Sequence, residues 1–515
     1  MKREKVLWVD DEIDLLKPHI YFLEEKGYEI VTANNGTDAL DLCQEHNFDL
    51  VILDENMPGM NGLELLSIIK EEKPHLPVIM ITKSEEEDLM NQAIGSKITD
   101  YLIKPVNPKQ ILLSLKKNLN KREIISESTT SSYRQEFARI GMQMGDNLTH
   151  ESWKDLYKKL VYWEIQLEEA GPEMEEVLRY QKSEANMTFA KYIRKNYLSW
   201  LSDADNRPLI SPDIFKKKIF PLLDNNEKVF FVLIDNFRLD QWRSIMPLLT
   251  PDFNCEEELY YSILPTATQY ARNAIFSGLM PVQIEKMFPE LWVDEEDDEG
   301  KNLNEAPLIQ TLLERYRKKC TFSYNKINDS RFAEKMMQNT SEWENNQLNV
   351  LVLNFIDMLS HARTESKMIR ELASNEAAYR SLTLSWFKHS GALELFKVLT
   401  AKGYKIILTT DHGTIRVNNP VKVVGDRNTN TNLRYKVGKN LNYNSKEVFE
   451  IKKPLEAGLP APNISSTYIF AENNDFLAYP NNYNYYVGYY KNTFQHGGIS
   501  LEEMLIPIIT LTPRR

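Results

Sequence analysis

The chain carries three apolar runs that lie far apart in the sequence and that each end close to an aspartate. They open the segments 228–236, 349–361 and 404–413, and the aspartates are Asp235, Asp357 and Asp411. Short runs rich in β-branched residues predict strands that are buried on both faces of a parallel sheet. We therefore expect each aspartate to stand at the end of a strand.

Histidines accompany the same runs. His361 and His412 directly follow two of the predicted strands, and His496 lies in a QHGG sequence near the C-terminus. Ligands of open α/β sheets bind beyond the carboxyl ends of the strands, and three carboxylates gathered there would repel one another unless a cation neutralised them. Mixed Asp and His donors suit zinc. The pattern predicts a zinc site.

Residues 262–278 place two threonines, Thr266 and Thr268, between Pro265 and a helix-like sequence. A hydroxyl at a helix N-terminus lies where unpaired backbone N–H groups and the helix dipole favour a phosphate. The same position is also typical of an ordinary helix cap. The local sequence leaves both interpretations open.

Residues 1–120 alternate strand-like and helix-like segments, which predicts a doubly wound parallel sheet. Three carboxylates at one sheet edge indicate a hard divalent cation such as Mg²⁺, and a nearby lysine would pair with a phosphate. The ends of the predicted strands carry these candidates: Asp10, Asp11, Asp54, Thr82 and Lys104.

Residues 121–205 predict a helical connector. Residues 126–136 are polar, which favours a linker or a helix break. Residues 152–170 and 174–201 then carry apolar side chains at helical spacing. These helices form either a small bundle or a relay that passes dimerisation of the first domain to the last. No basic recognition helix follows the first domain, so direct binding to duplex DNA is not expected.

Residues 206–515 form the predicted output domain, with a β-rich insertion at about residues 416–490. The Asn- and Tyr-rich alternation of this insertion predicts β-hairpins. Its tyrosines and amides could stack on bases and read base edges, or they could form an ordinary polar edge. Arg427, Arg434 and Lys436 are candidates for phosphate contacts.

Composition narrows the function classes. The chain has 515 residues and a net charge of −12, which argues against a protein that coats nucleic acid. Three scattered cysteines fit a reducing compartment. No segment approaches the roughly 20 apolar residues of a membrane helix, so we expect no membrane insertion and a cytoplasmic location.

The acidic cluster of the first domain resembles the receiver domain of two-component response regulators. The resemblance implies phosphorylation at Asp54, Mg²⁺ binding by Asp11, Asp54 and the carbonyl of Asn56 with Asp10 close by, and pairing of Lys104 with the phosphoryl group. Thr82 and Tyr101 would be switch residues. It also implies a sensor histidine kinase as partner and phosphorylation-dependent homodimerisation through residues 82–119.

Residues 206–515 resemble the alkaline phosphatase superfamily and its PglZ branch. The resemblance implies Thr268 as nucleophile and two Zn²⁺ ions. One would be held by Asp235, Thr268, Asp411 and His412, and the other by Asp357, His361 and His496. One position departs from related phosphodiesterases, which hold a phosphate oxygen with an Asn where this chain has Ala271. Arg272 or Asn273 could substitute for it.

The fold class is thus multidomain α/β, with a flavodoxin-like receiver, a helical-bundle connector and an alkaline-phosphatase-like domain. This order resembles the PorX-type response regulators of type IX secretion. The resemblance implies a zinc phosphodiesterase for cyclic or linear oligonucleotides and control of secretion genes, with a sigma factor as a candidate partner. The alternatives are a scaffold that binds zinc or nucleotides without catalysis, and a phosphomonoesterase or phosphomutase.

Overall fold

The computed structural model describes residues 3–73, 76–82, 98–119, 121–168, 172–293, 302–328, 332–365, 373, 375–426 and 429–514. They belong to two compact units, Met1–Ser132 and Tyr133–Arg515. Each unit has an apolar interior of its own.

The first unit is a doubly wound parallel sheet, as predicted. Its described strands are β1 (Lys5–Val9), β2 (Glu29–Ala33), β3 (Leu50–Asp54), β4 (Val78–Thr82) and β5 (Asp100–Ile103), in the order β2-β1-β3-β4-β5. The described helices are α1 (Lys17–Glu25), α2 (Gly36–Glu45), α3 (Gly62–Glu72) and α4 (Pro108–Leu119). Alternate residues of β1 and β3 enter apolar clusters on opposite faces, because successive strand side chains point to opposite sides.

The connector consists of α5 (Lys121–Gly145), α6 (His150–Gln166) and α7 (Pro172–Ser202). The predicted break at residues 126–136 is wrong, because α5 runs through it. Tyr133, Ile140 and Met144 of α5 fall on one helical face and are buried, so packing of that face outweighs the weak helix propensity of the Ser and Thr residues. The connector shares one apolar core with the rest of the second unit.

The described strands of the second unit form one larger sheet and three small ones. They are β6 (Lys228–Ile234), β7 (Phe253–Tyr261), β8 (Phe322–Ile327), β9 (Leu348–Leu353), β10 (Tyr404–Thr409), β11 (Ile415–Arg416), β12 (Asn419–Lys422), β13 (Tyr435–Gly438), β14 (Phe449–Ile451), β15 (Thr467–Phe470), β16 (Asp475–Ala478), β17 (Phe494–Gln495) and β18 (Leu505–Pro513).

The helices of this part are α8 (Phe220–Asp224), α9 (Leu239–Leu249), α10 (Thr268–Ser277), α11 (Pro281–Met287), α12 (Glu305–Arg315), α13 (Phe332–Gln338), α14 (Phe355–Glu365), α15 (Glu376–His389), α16 (Ala392–Ala401), α17 (Tyr483–Tyr490) and α18 (Leu501–Met504). Within the described ranges, no helix has both the length and the apolar character that a membrane crossing requires.

The described main sheet has the order β7-β18-β10-β6-β9-β8. Strands β10, β6, β9 and β8 are parallel, whereas β18 pairs antiparallel with both β10 and β7. The three apolar runs of the sequence are therefore neighbouring parallel strands, β10-β6-β9, and their carboxyl ends lie at one edge.

The insertion is not a set of simple hairpins. Strands β11 and β17 pair antiparallel, β12 and β16 pair parallel, and β15 lies between β13 and β14. The Tyr-rich stretch predicted as a strand is helix α17. Its residues Tyr483, Val487 and Tyr490 recur at helical spacing and pack on an apolar cluster that includes Ile415 and Val417, which explains the helix.

A buried ion pair joins the insertion to the segment before β18. Arg434 and Glu503 are both fully buried, and the guanidinium donates from Nε and Nη2 to the two carboxylate oxygens at 3.0 and 2.6 Å. Arg434 also donates to the backbone carbonyls of Asp475 and Ile499. The prediction that Arg434 contacts substrate is therefore wrong, since its donors are engaged inside the fold.

We expect Arg434→Met to lower the free energy of unfolding of the second unit by about 3–5 kcal/mol, because Glu503 would remain buried without its cation. Urea denaturation measures this change. Arg179→Met is the matched control, since Arg179 pairs with Glu176 on the surface, where both side chains are about three-quarters exposed. A loss for Arg434→Met no larger than that of the control would contradict the assignment.

Candidate functional site

The candidate site lies at the carboxyl ends of β10, β6 and β9. Asp235 directly follows β6, and Asp411 follows β10 after one intervening residue. Asp357 departs from the prediction, because β9 ends at Leu353 and Asp357 lies in the first turn of α14. His361 lies one turn further along the same helix, so helical spacing rather than strand ends brings this Asp and His together.

Asp235, Asp411 and His412 form the first cluster. All three are buried, and their potential ligand atoms lie within 4.8 Å of one another. The hydroxyl oxygen of Thr268, the first residue of α10, is 3.1 Å from His412 Nε2 and 3.5 Å from Asp235 Oδ1. The threonine predicted as nucleophile is thus in hydrogen-bond contact with this cluster.

Asp357, His361 and His496 form the second cluster. His361 Nε2 lies 3.4 Å from Asp357 Oδ2, and His496 Nε2 lies 3.8 Å from Asp357 Oδ1. The rings of His412 and His496 stack with centroids 4.2 Å apart. The two clusters are therefore adjacent.

Backbone carbonyls orient two of the histidines. His412 Nδ1 lies 3.1 Å from the carbonyl of Gly413, and His496 Nδ1 lies 3.2 Å from the carbonyl of Thr266. A hydrogen bond at Nδ1 leaves Nε2 as the free acceptor, the arrangement that metal-ligating imidazoles use. Burial, reinforced by His412, lowers the pKa of His496 to about 3, which keeps this ring neutral.

Arg272 is the resident cation of the first cluster. Its Nε donates to Asp411 Oδ2 at 2.9 Å, and its Nη2 pairs with Asp235 Oδ2. Burial raises the pKa of Asp235 to about 7, which Arg272 opposes and Asp411 reinforces. Burial acts in the same sense on Asp411, but Arg272 and His412 hold the pKa of that carboxyl below its usual value.

The donor set fits two metal ions of the zinc type. Each cluster combines carboxylate oxygen with imidazole nitrogen, and the first adds a hydroxyl oxygen. Zinc accepts this mixture with few protein ligands and keeps positions open for substrate. Other protein groups orient these candidate ligands. Arg272 pairs with the two carboxylates of the first cluster, and backbone carbonyls lie within hydrogen-bond distance of Nδ1 of His412 and of His496.

The receiver-like unit gathers its own acidic cluster. Asp10, Asp11 and Asp54 place carboxylate oxygens within 4.8 Å of one another. Lys104 Nζ lies 2.9 Å from Asp10 Oδ2 and 3.0 Å from Asp54 Oδ1. Burial raises the pKa of Asp54, against the pull of Lys104. The peptide bond between Lys104 and Pro105 is cis.

The predicted switch residues of this unit have distinct surroundings. The buried hydroxyl of Thr82 donates to the carboxylate of Glu55, a partner that sequence reasoning missed. Tyr101 is half-buried against an apolar cluster, and the side chain of Asn56 is exposed. The predicted dimerisation segment, residues 82–119, includes residues 83–97, which lie outside the described residues.

Family profiles match three consecutive parts of the chain. The response regulator receiver domain matches residues 6–116, and the PorX response regulator linker domain matches residues 123–201. The BREX system PglZ alkaline phosphatase-like domain matches residues 214–511, which is more than half of the chain. The chain belongs to the PglZ alkaline phosphatase-like family. Its order of receiver, linker and PglZ domain is that of a PorX-type response regulator.

Individual relatives match the receiver. The regulator AlgB of Pseudomonas syringae pv. tomato is 36% identical over 120 residues, which are 23% of this chain and 27% of AlgB. ResD of Bacillus subtilis is 38% identical over 112 residues, 22% of this chain and 46% of ResD. The chain spans less than half of the length of either relative. The structure of Vibrio cholerae CheY4 is 32% identical with a TM-score of 0.22, covering 23% of this chain and all of CheY4.

The residues predicted to contact substrate have different surroundings in the structure. Arg272 directs its donors at Asp235 and Asp411, so these donors are engaged by the carboxylates of the first cluster. Asn273 is 6% exposed, and its Oδ1 has no hydrogen-bond partner; its substrate role stays a prediction. Arg427 lies outside the described residues. Lys436 is buried and donates to the carbonyl of Asn430, so it does not reach substrate.

Several supporting residues were missed from the sequence. Asn236 adopts a positive φ of 62° directly after Asp235, and its amide donates to Asp357 Oδ1 and Ser360 Oγ, both at 3.2 Å. It thereby links the two clusters. Thr266 has a structural role, because its hydroxyl donates to the carbonyl of Gly498 at 2.9 Å and accepts from Gly497 N–H at 3.1 Å.

We expect Arg272→Met to destabilise the metal-free protein by about 2–4 kcal/mol, since two buried carboxylates lose their shared cation. Saturating zinc should recover most of this loss, because a metal ion would neutralise the same two carboxylates. The melting temperature of the variant relative to wild type gives the loss of stability when measured with chelator, and the recovery when measured with saturating zinc.

The matched control is Arg207→Met, whose wild-type guanidinium pairs with Asp213 in the same unit. Its melting temperature should differ from wild type by the same amount with and without zinc. If zinc leaves the loss of the Arg272 variant unchanged, the two carboxylates are not metal ligands.

Proposed function

We propose that the chain is a response regulator whose phosphorylation at Asp54 controls dimerisation and a two-zinc phosphodiesterase. The coarser description, a two-component regulator with a phosphatase-like effector domain, follows from the receiver and PglZ matches. The observation that carries the finer proposal is the contact of Thr268 Oγ1 with His412 Nε2 at 3.1 Å, beside a second Asp–His cluster.

Asp235, Asp411, His412 and Thr268 would hold one zinc, and Asp357, His361 and His496 the other. When bound, two such ions supply Lewis acidity that lowers the pKa of the threonine hydroxyl and stabilises charge on the attacking and leaving oxygens. Mixed carboxylate and imidazole ligation is the support for zinc over Mg²⁺ in this domain.

The chain's own residues fit a two-step diester hydrolysis. Thr268 Oγ would form a bond to phosphorus while the ester bond to the first alcohol breaks, and its proton would leave with that alcohol. Water would then cleave phospho-Thr268 and release the phosphate monoester. The N-terminal end of α10, where Thr268 stands, favours the negative charge of the transferred group.

The substrate class and partners complete the proposal. The substrates would be cyclic or linear oligonucleotides, and a sensor histidine kinase would phosphorylate Asp54. The output would reach type IX secretion genes through a sigma factor partner. The PorX-type domain order supports these assignments.

A second candidate is a scaffold that binds zinc or nucleotides and signals by contact with a transcription partner. The feature that favours it is Ala271, which is fully buried and offers no side-chain donor where related phosphodiesterases use an Asn.

We expect the zinc-loaded protein to hydrolyse bis-p-nitrophenyl phosphate faster than p-nitrophenyl phosphate. Thr268→Ala should lower kcat by at least about 1,000-fold, since the nucleophile is removed. Thr268→Ser is the matched control, because it keeps the hydroxyl and should retain measurable turnover. Loss of activity with a chelator and recovery with zinc would complete the assignment.

A preference for the monoester would favour the phosphomonoesterase reading. Absence of turnover with two zinc ions bound per chain would favour the scaffold.

We expect beryllofluoride with Mg²⁺, an analogue of the acyl phosphate, to convert the protein from monomer to dimer. The added negative charge at Asp54 would draw Lys104 and Thr82 towards it and change the face that they support. Sedimentation velocity measures the change, with Asp54→Asn as control because it cannot accept the analogue. Equal sedimentation of treated and untreated wild type would refute the dimerisation switch.

A further inference from the structure

Arg416 differs from the other arginines close to the metal-ligand segments. Arg238 pairs with Asp240, Arg272 with Asp235 and Asp411, and Arg434 with Glu503. The Nε of Arg416 is buried and has no hydrogen-bond partner in the described part of the chain. A buried N–H group without an acceptor is costly. Because the group belongs to a cation, this N–H indicates an acceptor from an anionic ligand.

The position of Arg416 ties it to both clusters. It ends β11, four residues after His412, and it pairs with Phe494 of β17. Phe494 in turn lies two residues before His496. Four extended residues span at most about 14 Å, and an arginine side chain extends several ångströms further. The β11–β17 ribbon thus carries Arg416 between the two segments that supply His412 and His496.

The alternation of side chains along β11 and the residue after it indicates the direction of the Arg416 side chain. Ile415 and Val417 enter the apolar cluster beneath α17, so Arg416 projects from the opposite face of the ribbon. Its cross-strand partner Phe494 shares that face and stacks on Tyr379 with ring centroids 4.4 Å apart. Strand β17 also contacts α14, the helix that carries Asp357 and His361. Arg416 therefore shares the ribbon face of Phe494, which packs on Tyr379 of α15.

We propose that Arg416 binds a non-bridging oxygen of the scissile phosphate, the contact that Ala271 cannot make. This inference rests on the proposed function, because it assumes that a phosphodiester occupies the site. A guanidinium offers paired N–H donors that match two phosphate oxygens. Arg416 is the described arginine beside the clusters whose Nε is not already taken by a protein acceptor.

The test measures binding separately from turnover. Bis-p-nitrophenyl phosphate is titrated by calorimetry into zinc-loaded Thr268→Ala protein, with and without Arg416→Met. We expect the second substitution to raise Kd by about 10- to 100-fold, the usual effect of losing a charge-assisted hydrogen bond. Arg416→Lys should give an intermediate Kd, because it keeps the charge but loses the planar fork. Zinc content should stay at two ions per chain in every variant.

The control is Arg207→Met in the same Thr268→Ala background, which should leave Kd unchanged. An unchanged Kd in the Arg416→Met protein, or a loss of zinc from it, would overturn the proposal, the latter because Arg416 would then support the metal site itself.

Failure of the proposed function has a different signature. If wild type binds the diester in an Arg416-dependent way without hydrolysing it, the phosphodiesterase is refuted while the role of Arg416 stands. If the wild-type and Arg416→Met proteins hydrolyse the diester with equal kcat/KM, the phosphodiesterase activity is supported and the proposed role of Arg416 is refuted.

Discussion

The second unit must neutralise the negative charge of two carboxylates that lie together at the carboxyl end of its parallel strands. Asp235 and Asp411 are buried beside each other, and such a pair is stable only next to a cation. Arg272 supplies it with a forked guanidinium that takes one oxygen of each carboxylate. The other oxygens stay directed at Thr268 and at the backbone of His412. The same residue thus compensates both buried charges and leaves one oxygen of each aspartate outside its ion pairs, where the proposed metal could bind.

A second buried ionic network connects this edge to the connector helices. Arg238, three residues after Asp235, forms a bidentate pair with Asp240 and also reaches Glu376. Arg380 bridges Asp240 to Glu164 of α6, and Lys182 of α7 bridges Glu164 to Glu502. Because breaking one member of such a network leaves another charge buried alone, α6 and α7 cannot shift independently of the segment that holds Asp235. The connector helices α6 and α7 are therefore part of the framework that supports the candidate site.

The sequence was sufficient where one local rule decides the outcome. Neighbouring parallel strands place Asp235 and Asp411 at one edge of the sheet, independently of the rest of the chain. The same rule predicted that Asp10 and Asp54 lie together at one edge of the first sheet. It failed where tertiary packing decides. Residues 126–136 are helical because the side chain of Tyr133 is buried in the core of the second unit. The Tyr-rich stretch is helical because Val487 and Tyr490, both partly buried, pack on a small apolar cluster. Arg434 and Arg416 both belong to the insertion, and the sequence does not distinguish them. In the structure Arg434 pairs with the buried Glu503, whereas Arg416 Nε has no acceptor among the described residues.

Each unit neutralises a pair of neighbouring carboxylates with one basic side chain, but the first unit uses a lysine and the second an arginine. Lys104 places a single ammonium between Asp10 and Asp54, on a flexible stem that can follow a new phosphoryl group. Arg272 is fully buried and holds Asp235 and Asp411 with a rigid fork. A movable cation fits the proposed phosphorylation of Asp54, which would change the charge of that site. A fixed cation fits the proposed metal site, whose carboxylates would have to keep their geometry, so the choice of Lys or Arg agrees with the different roles proposed for the two units.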